Sequence, residues 1–458
     1  MRCIIYLIFL SFAIHGFADA DISKAYTLKN GLHLLVKVDH RAPVAIFQIW
    51  YRVGGSYEKN GTTGISHVVE HMMFEGTKHY PDETFAKVVA NNGGQSNAFT
   101  TDDYTVYFEE FAADKIALSF KLEADRMQNA LMSDKSFKKE IQVVMEERRM
   151  RYDDQPTMLL YERLRAAAFI SNPYHHLTIG WMGDLKHLSA SDVRAWYHDW
   201  YVPNNATIVI VGDVNPERML ALAKKYFANI KKRHLPLEKP LVVQQPVGTR
   251  VINVNLPAKV PFLFMAYNVP TLTTIKKTWQ VYALDVLSAI LAGSDSSRLP
   301  SILVRQQQLA SSISTDYSDT DRFNTLFMIY GVPTAKNSLV KLKKAILQQI
   351  KLLQRYPVSA AELERIKTQV IANKVYAQDS IAAQASQLGS LVSVGLPWQL
   401  ANTYVDHIKA VTAVQVQAVA KQFLQSQSLT VGMLHPLPMS AADRQKQANI
   451  TLNPHGVH

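Results

Sequence analysis

The residues with the clearest chemical potential lie in Gly64-Ile65-Ser66-His67-Val68-Val69-Glu70-His71-Met72-Met73-Phe74. A helix of about 3.6 residues per turn sets His67 and His71 one above the other, so two imidazoles can share one metal ion. Glu70 follows His67 by three positions, on the neighbouring edge. Its carboxylate can reach a metal-bound water without being a ligand itself. An H-x-x-E-H match is short enough to arise by chance, and paired helical histidines are more often a solvated face. The weight comes from a second helix expected over 136–152, where Phe137, Ile141 and Val144 form the apolar stripe. Glu140 and Glu147 lie two turns apart on one face of it.

Two imidazoles on zinc require a third protein ligand and leave one position for water, so a His2Glu set is open and catalytic. Glu147 is assigned as that ligand. Glu146 points about 100° away around the helix, and Glu140, two turns back, is better placed to support a ligand from behind. The bland reading of Glu146-Glu147-Arg148-Arg149 is an exposed, salt-bridged helix face. The same donor set would accept manganese or cobalt.

Several elements must hold these helices in place. The alternating stretch Tyr26 to Lys37 turns at Asn30-Gly31, and Val44 to Val53 reads as a second strand. Helical periodicity covers 65–74, 84–91, 114–129, 136–152, 158–170 and 190–200, with strands at 105–110 and 207–211. After a proline-bearing, aperiodic stretch at 233–249 the plan repeats. Strands are expected at 250–256 and 262–269, and helices at 279–292, 299–307, 339–356, 360–377 and 381–394. The segment 185–214 runs without a gap against 408–436, with Ser189 opposite Thr412 and Thr207 opposite Thr430. The fold class that follows is α+β: two related domains made by duplication, each a mostly antiparallel sheet with helices packed on it. The expected division is a leader at 1–20, a metal-binding domain at 21–232, a linker at 233–249, a second domain at 250–436 and a disordered tail at 437–458. A chain of 458 residues exceeds one ordinary core and agrees with this division.

Composition removes other classes. The net charge of +11 and a pI of about 9.4 would suit an acidic partner, but pairs such as Lys138-Lys139 and Lys276-Lys277 are scattered over helical segments. No nucleic-acid motif and no concentrated basic arm accompanies them. Cys3 is the only cysteine, so any metal must sit on His, Asp or Glu. His79, His175 and His176 lack a matching acidic helix and read as surface or hydrogen-bonding residues.

Taken together, HVVEH (67–71), NNGGQSNAFTTDDYTVYF (91–108), EIQVVMEERRMRYD (140–153), PYHHLTIGWMGDL (173–185) and YVPNNATIVIVGDV (201–214) resemble the insulinase/pitrilysin family of inverted-motif zinc peptidases. The length and the duplication resemble its shorter branch, which includes mitochondrial processing peptidase subunits and bacterial two-subunit relatives. The resemblance implies one zinc on His67, His71 and Glu147, Glu70 as general base, and Glu140 in support. It implies that Asn97, Ala98, Phe99 and Thr100 form an edge strand to which short or unfolded peptides add by β-pairing. It also implies an Arg and a Tyr in a second half that help hold substrate and oxyanion. Here Ser311 stands at the expected tyrosine and Val304 at the arginine, with Arg305 and Tyr317 as nearby candidates. The helix at 279–292 carries neither His nor Glu, so one chain offers one zinc site. A heterodimer with a related subunit lacking H-x-x-E-H is the expected assembly, and a homodimer the alternative. A noncatalytic scaffold subunit is the rival function.

Residues 1–20 combine one basic residue, an apolar run from Ile4 to Ile14 and Ala18-Asp19-Ala20 as an A-x-A cleavage site. That run is short of the ~20 residues that span a bilayer, so the expectation is secretion across the inner membrane to the periplasm, without stable membrane insertion. N-terminal sequencing of the exported protein should begin at Asp21. An intact Met1 in a membrane fraction would instead indicate an anchor.

Overall fold

A computed structural model describes residues 23–238, 241, 243–244, 247–441 and 443–444. The expected leader and most of the expected tail lie outside the described residues. In the first half, three strands come first: β1 (Ser23–Thr27), β2 (His33–Val38) and β3 (Val44–Tyr51). Two short helices follow, α1 (Ile65–Met72) and α2 (Thr84–Asn91), and then the hairpin of β4 (Gln95–Thr100) and β5 (Thr105–Ala112). Next are α3 (Ala117–Asn129), α4 (Asp134–Arg148), α5 (Pro156–Ala168), α6 (Met182–Leu185) and α7 (Ala190–Trp200). This half closes with β6 (Ala206–Gly212) and α8 (Pro216–Phe227).

The second half opens with β7 (Arg250–Pro257), β8 (Phe262–Val269) and α9 (Trp279–Ala292), and then has the hairpin of β9 (Ala310–Asp316) and β10 (Thr325–Pro333). Five helices follow: α10 (Leu339–Arg355), α11 (Ala360–Ala377), α12 (Ile381–Ser393), α13 (Leu400–Ala410) and α14 (Ala413–Phe423). The last strand is β11 (Leu429–Leu437).

The first sheet has the order β1-β2-β6-β3-β5-β4 and the second β7-β11-β8-β10-β9. Without β1 the two orders match strand for strand. Each has one parallel pair, β2 with β6 and β7 with β11, and the remaining ladders are antiparallel. The duplication seen at 185–214 and 408–436 is equally plain locally. Ser189 with Asp192 and Thr412 with Gln415 form reciprocal capping boxes, and each capped helix leads into the strand that joins the parallel pair.

Sequence periodicity missed β9, an edge strand whose polar Ala-Ser-Ser-Ile-Ser-Thr-Asp gives little apolar alternation, and β10, an interior strand whose mostly buried apolar run does not alternate either. The helix expected at 299–307 is a wider, π-type turn over Pro300–Gln306. The strand β11 continues to Leu437, and Ser440 and Asp443 close a capped turn beyond it.

Each sheet packs its own helices on one face and a borrowed helix on the other. Leu160 and Leu164 of α5 lie against Phe264, Ala266, Met328 and Leu434 of the second sheet. In return, Ala385 and Leu388 of α12 lie against Ile46, Trp50, Val106 and Val209 of the first. Burying each large side chain contributes roughly 1.5–3 kcal/mol, so this exchange joins the halves firmly. Glycines allow the close approach: Gly432 on β11 sits under Leu160, and Gly389 on α12 lies flat on the buried indole of Trp50. Among the described residues no helix is long and apolar enough to cross a membrane. Gly389→Val would drive its side chain into Trp50. Urea unfolding should show a loss of about 1–3 kcal/mol, the usual penalty for overpacking.

Candidate active site

The helix α1 begins without a polar cap of its own. Gly64, at its N-terminus, has φ +88, and a Cβ there would collide with the Ile179 carbonyl. The free amides of Gly64 and Ser66 donate to the two carboxylate oxygens of Glu58, at 2.7 and 2.8 Å. A fully enclosed carboxyl therefore caps the helix from outside it, and burial pushes it up to about 8 although both amides favour its ionised form. The loop ahead of α1 is held as well, since Asp184 accepts from the amide of Thr63 at 3.2 Å and from its hydroxyl at 2.6 Å. That hydroxyl accepts in turn from the Trp181 amide at 2.9 Å.

The helix α4 begins conventionally, with the Ser133 hydroxyl accepting from the Ser136 amide at 3.0 Å. At its other end Arg148 donates to the Gly180 carbonyl at 2.6 Å and pairs with Glu162 of α5 at 2.8 Å. The segment 179–184 thus touches the N-terminus of α1 on one side and the C-terminus of α4 on the other. It sets the separation of the two helices.

Across that separation the expected ligand atoms converge. A Glu147 carboxylate oxygen lies 3.6 Å from His67 Nε2 and 3.5 Å from His71 Nε2. One donor atom from each of His67, His71 and Glu147 falls within 4.8 Å of the others. A tetrahedral zinc with bonds of about 2.0–2.1 Å separates its ligand atoms by about 3.3 Å, so the donor set fits that ion in chemistry and spacing. The second oxygen of Glu147 accepts from Arg151 at 2.9 Å. His71 Nδ1 faces Glu140 at 3.3 Å, which turns the other ring nitrogen toward Glu147. Glu146 is exposed and pairs with Arg149 at 2.7 Å.

Burial works against charge on these groups, and their neighbours restore it unevenly. It opposes protonation of His71, but Glu140 and Glu147 outweigh it and raise the imidazole to about 9. Burial likewise opposes ionisation of Glu147, and His71, His67 and Arg151 hold it at about 2. Glu70 stands differently: burial pushes it up to about 7, despite the Thr100 hydroxyl that donates to its carboxylate. A carboxyl near neutrality suits a group that must take and return a proton.

Thr100 belongs to β4, at the edge of the first sheet and paired there only with β5. Ala98 turns into the core beside α1, whereas Asn97 is exposed and its side-chain oxygen accepts from the Ala98 amide at 2.7 Å. Phe99 points to the opposite face, against Trp50. The two candidates from the second half lie elsewhere. Arg305 donates to the Asp295 carbonyl, and the hydroxyl of the half-buried Tyr317 donates to the Pro270 carbonyl at 2.7 Å. Both side chains are thus engaged by carbonyls of the second half. His79 and His175 are hydrogen-bonded to Asp125 and Asn60, while His176 is buried beside Glu58 at 3.9 Å.

Glu58 and the 179–184 clamp escaped the sequence reading because each acts across a loop with no periodic signature, whereas Arg151 lies four residues after Glu147, a helical spacing that could have found it. Glu58→Ala should strand two buried amides and lower stability by about 2–6 kcal/mol, at about 1–3 kcal/mol for each amide. Thermal and urea unfolding would measure it, and an unchanged midpoint would rule out this capping role.

Among protein-family models, residues 34–180 match "Insulinase (Peptidase family M16)" and residues 187–370 match "Peptidase M16 inactive domain". The chain is 32% identical over 366 residues to the zinc protease PqqE of Helicobacter pylori, covering 79% of this chain and 81% of that one. It is 24% identical to a probable mitochondrial-processing peptidase subunit beta of Arabidopsis thaliana, over 92% of this chain and 79% of that one. A crystal structure of a protease from Helicobacter pylori superposes with a TM-score of 0.86 at 28% identity, covering 91% of this chain and all of that one. The metal-ligand cluster lies in the half that matches the insulinase model, and the chain belongs to the M16 (insulinase) family of peptidases.

Proposed function

We propose that this chain is a zinc-dependent endopeptidase that hydrolyses short or unfolded peptides held as an added strand on β4. The observation that carries this reading is the meeting of His67, His71 and Glu147 donor atoms within 4.8 Å, with Glu70 on the same helix and hydrogen-bonded to the sheet edge. His67, His71 and Glu147 would hold the ion, and Glu140 would fix the His71 ring. Zinc bound there would supply Lewis acidity toward a water and the scissile carbonyl. The edge of β4 reads extended main chain and so tolerates varied sequences. Glu70 takes a proton from the attacking water and returns it to the leaving amine. The Thr100 hydroxyl fixes one of its oxygens and ties the base to the strand that positions the substrate.

Oxyanion stabilisation is the part this chain does not complete. Arg305 and Tyr317 are engaged within the second half, and Ser311 is a short side chain on the exposed edge strand β9. A related subunit that presents an Arg and a Tyr to this zinc site would supply what is missing, and this supports a heterodimer over a self-sufficient monomer. Export to the periplasm is proposed from residues 1–20.

Metal analysis and peptide cleavage test the reading together. Glu70→Gln should retain zinc and lose about 10²–10⁴-fold or more in rate, because an amide cannot accept the proton. His67→Ala, His71→Ala and Glu147→Ala should each lose the metal, and stoichiometric zinc in Glu147→Ala would move the third ligand to Glu146 or Glu140. Near-normal turnover by Glu70→Gln would sink the mechanism, and zinc binding without cleavage under any pairing would favour the scaffold role. Alone, the chain should turn over about 10²–10³-fold below the complemented complex, the usual cost of one oxyanion donor. A fully active lone chain that Arg305→Ala or Tyr317→Phe cripples would overturn the need for a partner.

A further inference from the structure

On the face of the first sheet opposite α1, the two halves line a half-open chamber of about 410 Å³. The rings of Trp50, Phe99 and Tyr104 line it from the first half and that of Tyr282 from the second. Trp50 and Phe99 meet edge to face at 6.1 Å, and Trp50 and Tyr104 lie 4.8 Å apart. Two groups of opposite charge, Asp319 and Lys374, share this wall with the aromatic rings and with the polar side chains of Ser386, Gln387 and Ser390.

These two charges attract one another, but no direct ion pair joins them among the described residues. The ammonium of Lys374 lies 5.0 Å from the ring centroid of Tyr404, whose hydroxyl donates to a different carboxylate, Asp285. Among the described residues no side chain hydrogen-bonds to the carboxylate of Asp319. Burial pushes Asp319 up to about 7, with the nearby Asp285 carboxylate adding to the rise, and pulls Lys374 down against the attraction of both carboxylates. A chamber walled by aromatic faces, with an anion and a cation held apart on its lining, is complementary to a small molecule with an ammonium, a carboxylate and an apolar body.

We propose that this chamber binds a zwitterionic amino acid or dipeptide with an aromatic or branched aliphatic side chain, its ammonium on Asp319 and its carboxylate on Lys374. The chamber adjoins the substrate edge directly. Phe99 forms part of its wall, and the next residue, Thr100, donates to Glu70 on the other face of the same strand. A ligand that fixes the Phe99 ring therefore acts on the strand that positions substrate and base. Small peptides and amino acids are products of peptide hydrolysis, so the chamber would report product to that edge. This last consequence rests on the peptidase reading, whereas the binding does not.

The test is calorimetry on the full mature chain carrying Glu70→Gln, so that binding is read without cleavage and independently of whether the chain is a peptidase. The probes are L-phenylalanine, the dipeptide Leu-Phe, N-acetylphenylalanine and phenylalaninamide. At least one of the two zwitterions should bind, and each blocked probe should bind at least tenfold more weakly. Asp319→Asn and Lys374→Met should each cost at least tenfold in affinity, and Ser390→Phe, which fills the chamber from α12 and leaves both charges in place, should abolish binding. If Asp319→Asn does not fold, the other two variants decide. Absence of binding by either zwitterion at millimolar concentration, or affinity indifferent to both Lys374→Met and Ser390→Phe, would overturn the proposal.

Discussion

To hold a metal ion, three donor atoms from two helices, far apart in the chain, would have to come within one coordination sphere. Neither α1 nor α4 can satisfy that constraint alone, since α1 brings two imidazoles and α4 the carboxylate. The separation of the helices is set by the 179–184 segment, pinned to α4 by Arg148 and to the start of α1 through Thr63 and Asp184. Gly64 and Gly180, both with positive φ, allow these backbones to pass within contact of one another. Much of the first half can be read as support for this junction. The apolar faces of α1 and α4 enter one core with β3 and β5, so a shift of either helix would disturb many buried side chains at once.

The same junction governs the electrostatics. Acids and bases alternate along a short path, from Lys139 through Glu140, His71 and Glu147 to Arg151. Each buried charge has an opposite neighbour, so Glu147 stays ionised and His71 stays basic in a place that would otherwise neutralise them. Glu70 receives less compensation. Its neighbours are the Thr100 hydroxyl and the more distant charges of His71, Glu147 and Arg126, and it titrates near neutrality. Two glutamates on adjoining helices thus acquire different chemical characters from their surroundings alone.

Duplication gave the chain two sheets of one plan, and among the described residues one group that could hold a metal ion. The second half keeps the sheet order, the capped helix and the closing strand, while its α9 carries neither His nor Glu. Its mechanical role is concrete. The helix α12 covers the outer face of the first sheet, and α5 returns the contact on the second, so the edge strand β4 stands on a sheet packed from both sides. The chamber behind Phe99 exists only because the halves meet in this way.

How much of this could be read without coordinates follows from the range of each interaction. Helical spacing put His67 and His71 on one face and separated Glu147 from Glu146, since these relations depend on a local period of about 3.6 residues. Strong local patterns also placed the helices 84–91, 190–200, 279–292 and 360–377 at the ends the structure has. The gapless match of 185–214 to 408–436 revealed the duplication before either sheet was visible. Polar β9 and the proline-led turn at 300–306 were not legible, because an edge strand needs no apolar alternation and a widened turn mimics a helix in sequence. Tertiary structure alone decided that Glu58 caps α1 through space, that Thr100 touches Glu70 and that Tyr317 spends its hydroxyl on Pro270. Those contacts depend on how distant segments pack, and a periodicity of a few residues carries no information about that distance.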